Sequence, residues 1–172
     1  MTFIVPYSHA DGLQYWTPAG SPRPVAVVYK VPYYFIRVEG GGEYKAVRFG
    51  LQNKGTLPPP ATRPCDAGLS SPRVCNPTWV PGYSPHSFPG SSRAGAWRLL
   101  PGKGFLVHEG ANTLLGQVGG SLGCVEILDG RWNEFLGEIE RIGKSTCSDI
   151  GSKGKLKVTI EAASYPVATL KT

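Results

Sequence analysis

The sequence predicts a mainly β fold with one or two short helices, and three observations support this prediction. Charged residues make up only 17% of the chain, whereas Gly (23) and Pro (16) are abundant, a composition typical of loop-rich β proteins. Short β-branched and aromatic runs are bounded by Gly and Pro. Helical spacing of apolar residues is clear only over residues 132–142. The length of 172 residues suits one domain, so residues 1–172 are treated as a single unit.

The first third of the chain is expected to form an irregular arm followed by strands. Residues 1–24 contain four prolines and are predicted to be an irregular N-terminal arm. Residues 25–31 form a β-branched run that predicts a strand. Residues 33–38 and 44–49 predict the two arms of a hairpin, because the glycines at 40–42 supply a turn between them.

Residues 52–90 are predicted to be a long Pro/Gly-rich loop insertion. Nine of the sixteen prolines fall between Pro58 and Pro89. Loops of this length are uncommon in compact domains and are usually functional or disordered. Aromatic residues within the segment favour burial or ligand contact over disorder. We therefore expect the loop to cover part of a groove, with His86 on it.

From residue 91 onward the pattern alternates between short strands and turns. Residues 92–99 predict a strand and residues 101–104 a turn. Residues 105–107 predict a short buried strand that ends at His108, and residues 124–127 predict another strand.

One helix is predicted near the C-terminus of the chain. Five apolar residues fall on one helical face: Trp132, Phe135, Leu136, Ile139 and Ile142. Asp129 is the expected cap at the start, and Gly143 is expected to end the helix. This face is predicted to pack in the core, beneath the strand that contains the cysteine of the motif described below. Residues 155–161 alternate strictly and are predicted to close the sheet.

The net charge of +6 favours an anionic partner, such as a cell-wall polymer, nucleic acid or membrane surface. Lys and Arg are scattered and no nucleic-acid motif is present, so no nucleic-acid partner is expected. No apolar run reaches the length of a membrane span. The N-terminus does not have the pattern of a signal peptide. The expectation is therefore either a cytoplasmic protein or export by a route without a cleaved leader.

Four cysteines are present, and no Cys-x-x-Cys pair exists, so a zinc site is not expected. Cys65 and Cys75 flank a short Pro-rich segment. They are compatible with a local disulfide in an oxidising compartment and equally with reduced, buried thiols.

His108 and Cys124 are the candidate catalytic pair. They are sixteen positions apart, each at the edge of an apolar run, with a Gly-rich segment between them. A thiol needs a base to become a nucleophile, and nearby backbone N–H groups to hold an oxyanion. Gly123 permits close backbone approach, and Ser121 can hydrogen-bond a ring nitrogen or a substrate. The stretch predicts a cysteine acyl-transfer site.

The same residues resemble the L,D-transpeptidase (YkuD-type) catalytic domain. That family has a histidine followed, after a loop of similar length, by Ser/Thr-x-Gly-Cys and a β-branched residue; His108 and residues 121–125 match it. The resemblance covers residues 91–142, the expected catalytic core motif. Glu126 stands where the main branch has arginine, and Glu109 where it usually has glycine. In this respect the chain is closer to the branch that includes peptidoglycan-targeting effectors of type VI secretion.

The resemblance implies an L,D-transpeptidase-like β-sandwich or barrel with a long Pro-rich loop, and no metal or cofactor. It implies a cysteine enzyme acting on peptidoglycan stem peptides, as an L,D-carboxypeptidase, an L,D-transpeptidase or a D-amino-acid exchange enzyme. The implied catalytic residues are Cys124 as nucleophile, His108 as base and Ser121. The amides of Gly123 and Cys124 would hold the oxyanion, and substrate contacts are expected at Gly110, Gly120 and Trp97.

The resemblance also implies partners and a location. The enzyme would be a secreted antibacterial effector that acts in the periplasm or cell wall. It would be exported by a leaderless route such as type VI secretion, together with a secretion-system component. An immunity protein would protect the producing cell. A housekeeping wall enzyme is the other possibility, and a neighbouring immunity gene would separate the two.

Two further readings differ in class. The chain would be a non-catalytic module that binds a glycan or wall polymer through Trp79, Trp97 and Tyr83, with Cys124 inert. A papain-like protease is disfavoured, because papain-type enzymes place the cysteine before the histidine, and here the histidine comes first.

Overall fold

A computed structural model of the chain describes residues 3–6, 29–47, 50–51, 62–63, 73–83, 93–102, 104–110, 124–161 and 169–170. Within these ranges the chain forms twelve strands and two helices. In chain order they are β1 (Phe3–Pro6), β2 (Tyr29–Arg37), β3 (Glu43–Val47), β4 (Gly50–Leu51), β5 (Thr62–Arg63), β6 (Arg73–Cys75), β7 (Thr78–Pro81), β8 (Gly95–Arg98), β9 (Leu106–Glu109), β10 (Val125–Ile127), α1 (Trp132–Gly143), α2 (Cys147–Ser152), β11 (Val158–Ile160) and β12 (Thr169–Leu170).

Eight strands form the main sheet, in the order β1-β2-β3-β10-β9-β8-β7, with β12 also paired to β2. β9 and β10 run parallel, and the other neighbours are antiparallel. The described strands do not close into a barrel, since β1 and β7 are at opposite ends of this order. The prediction of a mainly β fold with one or two short helices is confirmed: two short helices are present among the described residues.

The predicted hairpin is confirmed, with one change at its start. β2 and β3 pair antiparallel around the turn at residues 38–42, where Gly40 has a φ of 76°. Glycine adopts this backbone conformation without steric cost. One strand, Tyr29–Arg37, replaces the two separate strands expected over 25–31 and 33–38, and residues 25–28 lie outside the described part.

Helices α1 and α2 pack on one face of the main sheet and form the hydrophobic core with it. Residues in register across the strands contribute to this face, which we call the helix face: Tyr44, Ala46, Trp97, Val107 and Ile127. Four residues of the helical stripe are buried against them: Trp132, Phe135, Leu136 and Ile139. Ile142 is 39% exposed, so the last turn of the stripe leaves the core.

The ends of α1 differ from the prediction at the start and agree at the finish. Asp129 does not cap the helix: it has a φ of 63° in a turn, and Arg131 is the cap residue, without a side-chain cap bond. Gly143 is the last helical residue, and Lys144 takes the left-handed position. Gly143 also packs closely, because a Cβ there would lie 2.6 Å from Ile150 Cδ1.

Two glutamates of α1 attach the helix to its neighbours. Glu138 accepts hydrogen bonds from the Gly42 N–H and the Tyr44 hydroxyl, both at 2.8 Å, which ties the helix to the hairpin. Glu140 accepts two bonds from the Arg93 guanidinium at 3.1 and 2.8 Å, just before β8. Bidentate pairs of this kind fix geometry as well as charge. The helix therefore holds β3 and β8 on either side of β9 and β10.

Two predictions about irregular segments and one about a strand are corrected. Residues 3–6 of the predicted arm form β1, which pairs with β2, and residues 73–81 of the predicted loop form β6 and β7. β7 belongs to the main sheet beside β8. The strand predicted over 155–161 forms as β11, but it pairs with β6 in a separate two-stranded sheet and does not close the main one. Strand pairing over such separations depends on tertiary packing, which a local pattern does not contain.

Gly151 gives a prediction about the packing of α2 on β7. A Cβ at Gly151 would lie 2.7 Å from the Trp79 backbone nitrogen and 3.2 Å from Trp97 Cζ3. Because backbone cannot give way cheaply, Gly151→Ala is expected to lower the free energy of unfolding by about 1–3 kcal/mol. Gly137→Ala, in α1 with open space around it, is the matched control and is expected to raise it by up to about 1 kcal/mol. Urea denaturation measures both, and equal effects would contradict this account of the contact.

Candidate active site

His108 and Glu126 form a buried pair on the sheet face opposite the helices. The parallel pairing of β9 with β10 sets His108 directly beside Glu126. His108 is 3% exposed and Glu126 is 5% exposed, and 3.9 Å separates His108 Nε2 from Glu126 Oε1. The sequence predicted a strand that ends at His108, but His108 lies inside β9. This placement holds the ring against the carboxyl by backbone pairing.

The orientation of the His108 ring follows from a backbone contact. Nδ1 is 2.6 Å from the carbonyl oxygen of Glu109. A carbonyl oxygen only accepts, so Nδ1 supplies the proton of this hydrogen bond, and Nε2 of the neutral ring keeps its lone pair. The basic nitrogen is therefore the one that faces Glu126.

Cys124 stands immediately before β10, two residues from Glu126. Side chains two apart along a strand share a face, so Cys124 lies on the same face as Glu126 and diagonal to His108. The thiol is half-buried and donates to the Gly104 carbonyl oxygen at 3.4 Å. Diagonal neighbours on a sheet remain within reach of long side chains such as histidine. The fold thus brings the predicted base and nucleophile to one small region.

Tyr83, after β7, completes the group. Its ring is tilted over His108, with 5.5 Å between the ring centroids. Burial raises the pKa of the Tyr83 phenol, and the negative charges that Cys124 and Glu126 can hold raise it further. Tyr83 therefore lies near all three side chains. We call Tyr83, His108, Cys124 and Glu126 the site cluster.

Burial raises the pKa of Glu126 to about 7. Removing a carboxylate from water disfavours its charged form, which is why the shift is upward.

Gly110 lets the strands approach here: its N–H donates to the Ile127 carbonyl at 2.9 Å, and a Cβ would lie 2.6 Å from Glu126 Cβ. The contacts seen for Gly110 thus allow its strand to pack closely beside Glu126. The predicted contact of Gly110 with substrate stays a prediction.

Trp97 is corrected. It was predicted to bind substrate, yet it is 1% exposed and lies on the helix face, packed edge-on against Trp79 at 5.0 Å. Because Trp97 pairs with Val107, its side chain points away from His108, which is the next residue along β9. Its role in this structure is core packing.

The remaining predicted site residues lie outside the described part of the chain. These are Gly120, Ser121 and Gly123, together with His86 on the Pro-rich segment.

Cys75 and Cys147 are free, buried thiols. Cys65 is not among the described residues, so of the suggested Cys65–Cys75 disulfide only Cys75 is described, and it is a free thiol. Burial, then the nearby Glu140, raises the pKa of Cys147 to about 12, which leaves that thiol unreactive.

Glu126 and Tyr83 were missed as members of the site. Glu126 had been noted only as a departure from the family pattern, and Tyr83 only as an aromatic for a binding module. The alternation rule would have placed Glu126 on the face of Cys124. The parallel register with His108 has no local signal, because parallel neighbours are joined by long connections.

Among the described residues, no group of three or more His, Cys, Asp and Glu side chains is arranged to hold a metal ion. Neither described helix combines the length and apolar character that a membrane span requires. The chemistry available to the cluster is that of a thiol, an imidazole, a carboxyl and a phenol. Comparisons with protein-family models, with curated proteins and with solved structures gave no match.

Proposed function

We propose that the chain is a cysteine acyl-transfer enzyme that acts on peptidoglycan stem peptides. The observation that supports this most is the site cluster: a half-buried thiol on the same sheet face as a buried histidine whose Nδ1 bonds to the backbone, so that Nε2 is its basic nitrogen. The motif at residues 121–125, in which Cys124 follows His108 by sixteen positions, supports the same reading. Thiol and imidazole on one face are the two groups that cysteine acyl transfer requires.

The proposed reaction has two steps. The Cys124 thiol gives its proton to His108 Nε2, and the sulfur attacks the carbonyl carbon of the L-centre of the diamino acid at position three. The bond to the D-residue at position four breaks, and that leaving amine takes the proton from Nε2. The thioester then passes its acyl group to water, as in an L,D-carboxypeptidase, or to an amine, as in an L,D-transpeptidase or D-amino-acid exchange.

The proposal includes a fold and a setting. The fold would be an L,D-transpeptidase-like β domain, supported by the neighbouring histidine and cysteine strands. The net charge of +6 suits an anionic wall polymer. We propose a secreted effector that acts in the periplasm, with an immunity protein as partner. Toxicity only when the chain is directed to the periplasm of a test bacterium would support this setting, and toxicity in the cytoplasm would contradict it.

All three aromatic residues of the binding-module alternative are engaged in contacts within the described part of the chain. Trp97 is in the core, and Trp79 packs on it at 5.0 Å, beneath Gly95 and against α2. Tyr83 covers His108. Aromatic rings engaged in this way do not offer an open face to a sugar.

Mass spectrometry of stem peptides tests the function directly. Purified protein is expected to cleave a tetrapeptide stem at the bond between positions three and four, or to join two stems there. The matched control substrate has an L-residue at position four and is expected to stay intact, because the leaving group has the wrong configuration. Loss of terminal D-alanine identifies hydrolysis, whereas dimers or exchanged D-residues identify transfer. Equal treatment of the two stems, or no change in either, would refute the proposal.

A further inference from the structure

Glu126 is an ionisable group buried at the centre of the sheet, where a carboxyl side chain is costly. Burying a charge disfavours folding unless a partner compensates it. Glu126 is 5% exposed, and His108 Nε2 is 3.9 Å from its Oε1. That distance exceeds a direct hydrogen bond but is within ion-pair range. The pair therefore interacts through charge when the ring is protonated.

The described groups around Glu126 come from β9, from the segment after β7, from β10 itself and from β3. β9 contributes His108, and the segment after β7 contributes the Tyr83 phenol. Its own strand contributes Cys124, two residues earlier. On β3 the residue directly opposite is Val47, which cannot ionise, and Lys45 on the same side of that strand is exposed. The ring of His108 can become positive and lies within ion-pair range of the buried carboxyl.

We propose that Glu126 is a positioning residue whose carboxylate stabilises the imidazolium that forms when His108 accepts the Cys124 proton. This inference rests on the proposed role of Cys124 as nucleophile. In the resting ring Nδ1–H is held by the Glu109 carbonyl. When the thiol proton moves to Nε2, the new positive charge lies 3.9 Å from Glu126 Oε1. The proton later leaves on the amine, and the ring returns to neutral, so Glu126 itself gains and loses no proton.

In this arrangement Cys124 is the nucleophile, His108 is the base and Glu126 is the carboxylate. The nucleophile and the carboxylate come from the same strand two residues apart, and the base comes from the parallel neighbour. Tyr83 lies against the ring, which is 3% exposed. A low-dielectric cover strengthens the attraction between imidazolium and carboxylate.

Site-specific alkylation of Cys124 tests the inference without any substrate. Trypsin releases Cys124 on the peptide 104–131, which contains no other cysteine, so its rate of modification by iodoacetamide is read by mass spectrometry. Wild type is compared with Glu126→Gln and Glu126→Asp between about pH 5 and about pH 9. Because an opposite charge at this range shifts an ionisation by about one unit or more, Glu126→Gln is expected to react about tenfold more slowly above neutral pH.

The shape of the pH profile separates positioning from a structural effect. Burial raises the pKa of Glu126 to about 7, so the wild-type profile should rise through that region as the carboxyl ionises. Glu126→Gln should lose this rise and match wild type near pH 5, whereas Glu126→Asp should retain it. Slowing of Glu126→Gln by the same factor at every pH, or an unchanged profile, would overturn the inference. If Glu126→Gln does not fold, loss of the rise in the folded Asp variant would overturn it equally.

Failure of this inference is distinguishable from failure of the proposed function. Stem-peptide turnover with an alkylation profile independent of Glu126 would reject the positioning role alone. A Glu126-dependent profile without any stem turnover would reject the peptidoglycan substrate and leave the Cys–His–Glu arrangement standing.

Discussion

Cys124→Ala is expected to lower stem-peptide turnover by at least about a thousandfold, because no other group in the site cluster can form the thioester. The melting temperature is expected to change little. Cys124 is half-buried, and its thiol donates a weak hydrogen bond to the Gly104 carbonyl at 3.4 Å. A loss of about 0.5 kcal/mol corresponds to a shift of only about 1–2 °C in melting temperature for a chain of this size.

Cys147→Ala is the matched control. It also removes a thiol, but from the core, where the side chain is 2% exposed. This variant should melt at a lower temperature and keep its turnover. Steady-state kinetics and thermal melts of both variants therefore give opposite patterns. Full turnover in Cys124→Ala would exclude the cysteine mechanism, whatever the melts show.

Glu126→Gln is expected to be more stable than wild type at and above neutral pH, by as much as about 3 kcal/mol. Burial raises the pKa of Glu126 from 4.5 to about 7. Below the ordinary value both folded and unfolded states hold the proton, and the carboxyl costs nothing extra. As pH rises towards 7 the unfolded state ionises first, so stability conferred by the protonated form is lost across this window. Glutamine has no proton to lose and escapes the penalty.

Urea denaturation of both proteins between about pH 4.5 and about pH 8.5 measures this difference. The two stabilities should converge at the acidic end and separate up to about pH 7. Glu138→Gln provides a control of opposite sign: hydrogen bonds from the Gly42 N–H, then from the Tyr44 hydroxyl, lower the pKa of Glu138. That carboxylate stabilises the fold above its ordinary pKa, so its replacement should weaken the protein at neutral pH. Parallel curves for wild type and Glu126→Gln would mean that the buried carboxyl is compensated in the folded state.

Urea denaturation and Cys124 alkylation of Glu126→Gln together show whether the Glu126 side chain lowers the stability of the fold and raises the reactivity of the Cys124 thiol. A buried carboxyl beside a histidine is an expensive way to fill a β-sheet, and an apolar residue would pack there without a charge penalty. Active sites commonly keep such groups at the expense of stability. A variant that becomes more stable above pH 7 while its thiol becomes less reactive would show both effects in one residue.

The elements that the sequence predicted well are those whose signals are local. The hairpin around residues 40–42 follows from β-branched and aromatic arms with a glycine turn. The buried stripe of α1 follows from apolar spacing at 3.6 residues, and four of its five residues are in the core. The start of α1 was missed because Asp129 entered a left-handed turn, where its side chain did not serve as the cap.

Predictions that depended on which strands become neighbours were less successful. β11 has the alternation of a sheet strand, yet it pairs with β6 outside the main sheet. Trp97 has the aromatic character of a binding residue, yet its register with Val107 turns it into the core. Glu126 looked like a departure from a motif, and the register with His108 turned it towards the candidate base.

By itself, the sequence determined the β-rich class, the hairpin, the amphipathic helix and the pair of residues worth testing, since each depends on neighbours along the chain. Only the tertiary structure decided which side chains surround His108. Parallel pairing of β9 with β10 joins residues eighteen positions apart across a connection that carries no register signal, and a shift of one residue in that register would send Glu126 to the helix face and bring a valine or isoleucine to the imidazole.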